Sequence, residues 1–180
     1  TLELGGKSPV VIGRSADLEK TAARVMNGKT MNAGQICLAP DYVLAPRESV
    51  DGFVNAAKTA VAKMYPTIKD NGDYTAMINQ RHFDRVRGLI NDAKAKGAQI
   101  VEINPAGEDF SQQEHRKIPP TLIVGATDEM TVMQEEIFGP VLPIRTYTSI
   151  EESISQINAG PRPLALYYFV GRANNKRWRN

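Results

Sequence analysis

A glutamate and a cysteine, each on a short glycine-bearing segment, are the residues of this sequence best suited to chemistry. Glu3 begins the run Glu-Leu-Gly-Gly-Lys-Ser-Pro, and Cys37 lies 34 residues further on, in Gly-Gln-Ile-Cys-Leu-Ala-Pro. A thiolate is a strong nucleophile, and a carboxylate beside it could deprotonate a water molecule or the thiol itself. The spacing alone leaves two blander interpretations open, in which Cys37 is a small buried side chain and Glu3 caps a turn.

The elements that must position these two residues alternate between strands and helices. Apolar runs predict strands at residues 9–12, 42–44, 99–103, 121–124, 141–147 and 164–170. Asp17, Ser49 and Ser149 predict helix starts, and Ser149 forms a capping box with Glu152. A further helix is predicted around residues 86–93. The pattern indicates an α/β fold, with a mostly parallel sheet flanked by helices, in which loops at one end of the sheet converge.

Several other residues are interpreted as structural. The almost wholly apolar run 164–170 predicts a central strand that is covered on both faces. His82 and His115 stand alone in polar surroundings, without a second ligand at metal-binding spacing, so no metal site is expected. Lys7 lies close to Glu3, but a lysine beside a glycine turn is usually solvated, and we leave it outside the predicted site.

Composition excludes several classes of partner. The 180 residues include 42% apolar side chains, enough for the core of one domain, and the net charge is +2 with both signs interleaved. A basic stripe for nucleic acid is missing, and no apolar run reaches the roughly 20 residues of a membrane span. The single cysteine favours the reducing cytoplasm, so we expect a cytoplasmic protein without nucleic-acid partners.

Three ordered motifs resemble those of the aldehyde dehydrogenase superfamily. The Glu-Leu-Gly-Gly-Lys-Ser-Pro run and the Gly-Gln-x-Cys run are similar to its paired active-site signatures. The run Glu-Glu-Ile-Phe-Gly-Pro at residues 135–140 resembles its cofactor-facing Glu-x-Phe-Gly-Pro motif, in the family's order. Residues 37–44 and 163–167 resemble the coniferyl aldehyde dehydrogenase and class-3 branch of that family.

The resemblance implies a role for each matching residue. Cys37 is expected to attack the aldehyde carbon, giving a thiohemiacetal and then a thioester, and Glu3 to activate the water that hydrolyses the thioester. Glu136 is expected to accept hydrogen bonds from the nicotinamide ribose, and Phe138 to pack beside the ribose and ring. The backbone carbonyl of Leu4 is expected to hold the carboxamide. The implied cofactor is NAD or NADP, and the implied substrate is a small-molecule aldehyde.

The resemblance also predicts how the chain relates to a longer enzyme. Residues 1–180 are expected to form an aldehyde dehydrogenase catalytic domain that is incomplete at both ends, since an upstream dinucleotide-binding domain and a downstream assembly segment are both absent. The family's oxyanion-hole asparagine is expected upstream of Thr1, so little turnover is expected from the chain alone. The parent enzyme is expected to be a homo-oligomer.

Two rival functions remain at this point. A cysteine-dependent acyl transferase or esterase would use Cys37 and Glu3 but would leave Glu136 and Phe138 without a role. A non-catalytic scaffold would retain the fold with an inert Cys37.

Overall fold

Most element boundaries follow the sequence pattern in the computed structural model, which describes residues 4–171. The strands are β1 (Pro9–Ile12), β2 (Tyr42–Pro46), β3 (Gln99–Glu102), β4 (Thr121–Val124), β5 (Val141–Tyr147) and β6 (Tyr167–Phe169). The helices are α1 (Leu18–Thr30), α2 (Val50–Met64), α3 (Gln80–Ala95), the single turn α4 (Thr131–Gln134) and α5 (Ile150–Ala159). Strands and helices therefore alternate along most of the chain, as predicted.

Helix starts show which sequence signals were correct. Asp17 caps α1 by accepting a hydrogen bond from the backbone N–H of Lys20, and Ser149 caps α5 by accepting one from that of Glu152. Ser49 makes no such bond, because a 3-10 turn, Arg47–Ser49, already precedes α2 and gives Ser49 helical backbone angles. The expectation that Ser49 caps α2 was therefore wrong.

The six strands form one sheet in the order β3-β4-β5-β2-β1-β6. All neighbours pair in parallel except β3 and β4, which are antiparallel. The predicted α/β fold with a mostly parallel sheet is confirmed. The expected central strand at residues 164–170 was wrong, because only Tyr167–Phe169 forms a strand, at the edge beside β1, and Tyr168 is 44% exposed.

Helices cover both faces of the sheet because successive strand side chains alternate in direction. Val10 and Ile12 of β1 join the core beneath α1 and α2, whereas Val11 joins a cluster that includes residues of α5. On the same face as α5, Ile123 of β4 packs into a core with α3. Within residues 4–171, no helix combines the length and hydrophobicity needed to cross a bilayer.

Candidate active site

Three loops meet at the amino ends of β1, β2 and β5. We call them the glycine loop (residues 4–8), the cysteine loop (residues 31–41) and the glutamate loop (residues 135–140). Each runs directly into its strand, and β2 lies between β1 and β5 with both pairings parallel. Residues immediately before these strands must therefore lie side by side. The backbone N–H of Asp41 donates to the carbonyl oxygen of Ser8 at 2.9 Å, which joins the first two loops.

The cysteine loop begins with an unusual backbone. After α1 the chain forms a 3-10 turn, Met31–Gly34, in which Asn32, Ala33 and Gly34 have φ angles of 49°, 53° and 71°. Asparagine and glycine tolerate this left-handed region, but alanine adopts it at a cost of about 1–2 kcal/mol. Ala33 is 1% exposed, so packing must offset that cost.

Cys37 follows in an exposed turn closed by a 2.9 Å hydrogen bond from the backbone N–H of Ala39 to the carbonyl oxygen of Ile36. Side chains anchor the loop on both sides of the thiol. Gln35 donates to the carbonyl of Ala76 at 3.1 Å and accepts from the N–H of Ile78 at 2.9 Å. On the other side, the Tyr167 hydroxyl donates to the carbonyl of Leu38 at 2.6 Å. The thiol is thus accessible while its backbone is fixed.

The cysteine and glutamate loops touch through backbone alone. A Cβ atom placed on Gly34 would lie 2.3 Å from the carbonyl oxygen of Gly139 and 2.7 Å from its carbon. Only a residue without a side chain allows this approach, and the φ angle of 71° independently favours glycine. The position of the thiol and that of the Glu-x-Phe-Gly-Pro motif are therefore linked.

Glu136 reaches back across the glycine loop. Its Oε2 accepts a hydrogen bond from the backbone N–H of Gly6 at 3.1 Å, and a Cβ atom on Gly5 would lie 2.4 Å from the same oxygen. Phe138, two residues later, has a φ angle of 47° and is 39% exposed. The Glu136 carboxylate accepts hydrogen bonds, and the exposed Phe138 ring offers a face for stacking, a combination suited to a nicotinamide riboside.

For two of the predicted site residues, Glu3 and Leu4, the predicted roles stay predictions. Glu3 lies outside the described residues, so its expected position near Cys37 stays a prediction. Leu4 begins the glycine loop with a side chain that is 63% exposed. The predicted contact of its backbone carbonyl with the carboxamide also stays a prediction.

Buried charges lie behind the three loops. The Lys7 ammonium pairs with the Asp41 carboxylate, and their side chains are only 14% and 4% exposed. Lys7 was expected to be solvated; that expectation was wrong, because β1 and β2 are neighbours and bring the two residues together. Lys29, on α1, is 1% exposed. Burial lowers the pKa of Lys29 to about 8, against the opposing charges of Asp41 and Glu136.

Lys29 should make folding stability depend on alkaline pH. Its pKa in the folded state, about 8, lies below its ordinary value of 10.5, so between these values the unfolded chain binds more protons. The free energy of unfolding should therefore rise with pH across this window. Relative to Lys29→Met, the protein should gain about 2 kcal/mol between pH 7 and pH 9.5. Urea unfolding of both proteins at the two pH values tests this, and a difference that does not change with pH contradicts it.

Three charged residues that contribute to this region were missed from the sequence: Lys29, Asp41 and Arg85. Gln35 belongs to the Gly-Gln-x-Cys motif, but its contacts with Ala76 and Ile78 were not predicted. Lys29 did have a signal, because it continues the apolar stripe of Leu18, Ala22 and Val25 on α1, where a lysine is out of place. Asp41 and Arg85 had none, since the backbone and side-chain partners that they bind in the glutamate loop lie 96 and 50 residues away in the chain.

Within residues 4–171, no cluster of three or more His, Cys, Asp or Glu could hold a metal ion.

Comparison with known proteins identifies the family. The family model described as "Aldehyde dehydrogenase family" matches residues 1–173. The chain belongs to the aldehyde dehydrogenase family. The family predicted from the three motifs is thereby confirmed. A scaffold or an esterase would therefore have to be a member of this family.

Named relatives agree with the predicted branch of the aldehyde dehydrogenases. A probable coniferyl aldehyde dehydrogenase from Caulobacter vibrioides is 68% identical over 94% of this chain, and a coniferyl aldehyde dehydrogenase from a Pseudomonas species is 57% identical over the same share. The match covers 35% of each relative, so the chain spans about a third of their length.

Solved aldehyde dehydrogenase structures share the fold. The substrate-bound structure of Staphylococcus aureus AldH superposes with a TM-score of 0.85 at 36% identity, covering 97% of this chain and 37% of that one. Related proteins include some named as NADP-preferring or NADP-dependent and others as NAD-dependent. The expected cofactor class, NAD or NADP, is therefore that of the family.

Proposed function

We propose that this chain is the catalytic part of a longer NAD(P)-dependent dehydrogenase that oxidises aldehydes to carboxylic acids, with Cys37 as nucleophile. The observation that supports it most is the meeting of three motif-bearing loops at adjacent strand ends, with Gly34 against Gly139 and Glu136 against Gly6. This arrangement sets an accessible thiol beside a surface suited to a nicotinamide riboside.

The chemistry begins at the thiol. The Cys37 thiolate adds to the aldehyde carbon, forming a C–S bond and a tetrahedral alkoxide. The backbone N–H of Cys37 is placed in this proposal to donate a hydrogen bond to that oxygen. A nicotinamide held by Glu136 and Phe138 would supply the acceptor for the hydride that leaves this carbon. The carbon–oxygen double bond re-forms and leaves an acyl thioester on Cys37.

The thioester must then be hydrolysed. In the proposal, Glu3 takes a proton from a water molecule, whose oxygen attacks the acyl carbon. The C–S bond breaks, the thiolate leaves, and the product is the carboxylic acid. Glu136 would accept hydrogen bonds from the cofactor's ribose hydroxyls, and Phe138 would pack on the riboside. The proposal gives neither residue a role in proton transfer. An esterase or acyl transferase would need no Glu136 or Phe138 at this site.

An apolar groove lined by the chain neighbours of Cys37 supports an aromatic aldehyde as substrate. Ile36 and Leu38, on either side of Cys37, line an apolar groove of about 490 Å³ together with Met31 and Tyr167. Both relatives described above carry coniferyl aldehyde in their names. We therefore propose aldehydes of the coniferyl class as substrates. We also propose a location in the reducing cytoplasm, which a free thiol at Cys37 supports.

The rest of the proposed enzyme follows from the shared length. Because the relatives are about three times longer, we propose that a dinucleotide-binding domain precedes residues 1–180 and that an assembly segment follows them, giving a homo-oligomer. The oxyanion-hole asparagine would come from the upstream domain. The chain by itself should then have little activity.

The test compares coniferyl aldehyde with hexanal in the full-length protein, following reduction of NAD and of NADP. We expect reduction to depend on aldehyde, and kcat/KM to be about tenfold or more higher for coniferyl aldehyde, as extra apolar contact predicts. Reduction with hexanal alone would overturn the aromatic preference. No reduction with either aldehyde, together with ester hydrolysis, would support the esterase. Iodoacetamide labelling of Cys37 no faster than free cysteine would support the scaffold.

A further inference from the structure

Charged side chains from three separate elements hold the backbone of the glutamate loop. We propose that Lys7, Asp41 and Arg85 are positioning residues that fix Glu136 and Phe138 for cofactor binding. The inference rests on the proposed function, because it assigns these residues to the cofactor half of the reaction. Beyond that function, it explains which side chains hold the glutamate loop in its conformation.

The buried ion pair completes its hydrogen bonds with the glutamate loop and α4. Besides Asp41, the Lys7 ammonium donates to the carbonyl oxygens of Val132 and Glu135, both at 2.8 Å. The second carboxylate oxygen of Asp41 accepts from the backbone N–H of Ile137 at 2.9 Å. A buried ion pair is stable only when its remaining protons and lone pairs are satisfied. The pair and the loop therefore depend on each other.

Arg85 holds the same loop from the side of α3. Its Nη1 donates to the Glu135 carboxylate at 2.9 Å and to the carbonyl oxygen of Glu136 at 3.3 Å. Its Nη2 donates to the carbonyl oxygen of Ile137. The planar guanidinium can bind two successive carbonyls with a fixed orientation, which a lysine cannot do. The backbone groups of residues 135–137 are thus bonded on both sides.

The loop needs such support because Phe138 is strained. Its φ angle of 47° is rarely adopted by an aromatic residue and persists only where the surroundings impose it. Three successive backbone carbonyls and one N–H before Phe138 are bonded to the three charged side chains. Without them, the peptide could relax and carry the Glu136 carboxylate away from Gly6.

The pair also connects the cofactor surface to the end of the cysteine loop. Lys7 follows the glycine loop's Gly5 and Gly6, and Asp41 ends the cysteine loop. One ion pair therefore joins all three loops at the amino ends of their strands. Cys37 itself is four residues from Asp41 and is anchored separately through Gln35 and Tyr167. Loss of the pair should disturb the cofactor surface more than the thiol.

The test uses the full-length protein with Lys7→Met, Asp41→Asn and Arg85→Met, and with Lys96→Met as control. Lys96 also pairs with an aspartate, Asp92, and donates to a carbonyl, but that of Glu129, ahead of the loop. Two reactions are measured for each protein: aldehyde oxidation as a function of NAD(P) concentration, and cofactor-free hydrolysis of p-nitrophenyl acetate by Cys37.

We expect the KM for NAD(P) to rise about tenfold or more in the three variants, while ester hydrolysis stays within about threefold of wild type. Lys96→Met should change neither. Arg85→Lys should recover part of the loss, because it can still donate to one carbonyl. A parallel loss of both reactions, or an unchanged KM, would overturn the proposal.

Two further outcomes are distinguishable. If wild type reduces no NAD(P) with any aldehyde, the proposed function fails, and so does the assignment to cofactor binding. If wild type is active, only the variants decide the inference. Should Lys7→Met fail to fold by circular dichroism, Arg85→Met remains decisive, because the Arg85 side chain is 29% exposed and its removal leaves no buried unpaired charge.

Discussion

Replacing Cys37 with alanine in the full-length protein is expected to abolish both aldehyde oxidation and ester hydrolysis. In the proposed mechanism both reactions pass through an acyl group on the thiol, so losing the nucleophile should lower each rate by about a thousandfold or more. The exposed turn around Cys37 is closed by backbone hydrogen bonding, so the change should leave the fold intact. Steady-state kinetics with coniferyl aldehyde and p-nitrophenyl acetate measure the two losses.

The matched comparison is Glu3→Gln, which removes the proposed base but leaves the nucleophile. It should slow release of the acid more than attack on the aldehyde, so pre-steady-state kinetics should show a burst of reduced cofactor followed by slow turnover. Unchanged turnover in Cys37→Ala would remove the cysteine from the mechanism. Equal losses in burst and turnover for Glu3→Gln would remove the glutamate from deacylation.

The second large effect is expected for Gly34→Ala, one methyl group at the contact between two loops. The added carbon would overlap the carbonyl of Gly139 and lie 3.0 Å from that of Lys29, so a backbone must move. A left-handed φ angle adds about 1 kcal/mol or more for alanine. A displacement of about 1 Å can cost a hundredfold in rate, and we expect a loss of that order in aldehyde oxidation.

Gly88→Ala is the control for the same chemical change. Gly88 lies within α3, and among the described residues no atom other than those of its chain neighbours and of the backbone of its own helix lies within 4 Å of the added carbon. Alanine favours a helix over glycine by about 0.5–1 kcal/mol, so this variant should be as stable as wild type or more so. Thermal unfolding and kcat/KM of both variants provide the measurement. Gly34→Ala with wild-type activity would show that the contact is not required.

Local sequence patterns were enough to predict most helices and strands, but not which strands lie next to each other in the sheet. The alternation of apolar runs with capped helices depends on residues close in sequence, and Asp17 and Ser149 cap helices as expected. Ser49 failed as a cap because a preceding turn changed its backbone, an effect that composition does not show. The run 164–170 failed as a central strand because apolar content does not reveal which strand lies at an edge.

In the candidate site, too, some residues were predictable from local sequence and others were not. Types and order of residues indicated Cys37, Glu136 and Phe138, because each belongs to a motif that is contiguous in the chain. They did not reveal Lys7, which was set aside as solvated, or Asp41 and Arg85. Lys7 lies within a motif, but its role, like those of Asp41 and Arg85, depends on partners on other elements, which no contiguous pattern shows.

Glu3 and Cys37 were predicted to lie together from the sequence. For Glu3 this stays a prediction, because Glu3 lies outside the described residues. The sequence by itself determined the family, the fold class and the reactive residue types, because motifs and hydrophobic periodicity are local. Only the tertiary structure decided that three loops meet at the amino ends of β1, β2 and β5, since strand order is a long-range property. The same order buries the Lys7–Asp41 pair against the glutamate loop, where Arg85 completes its support.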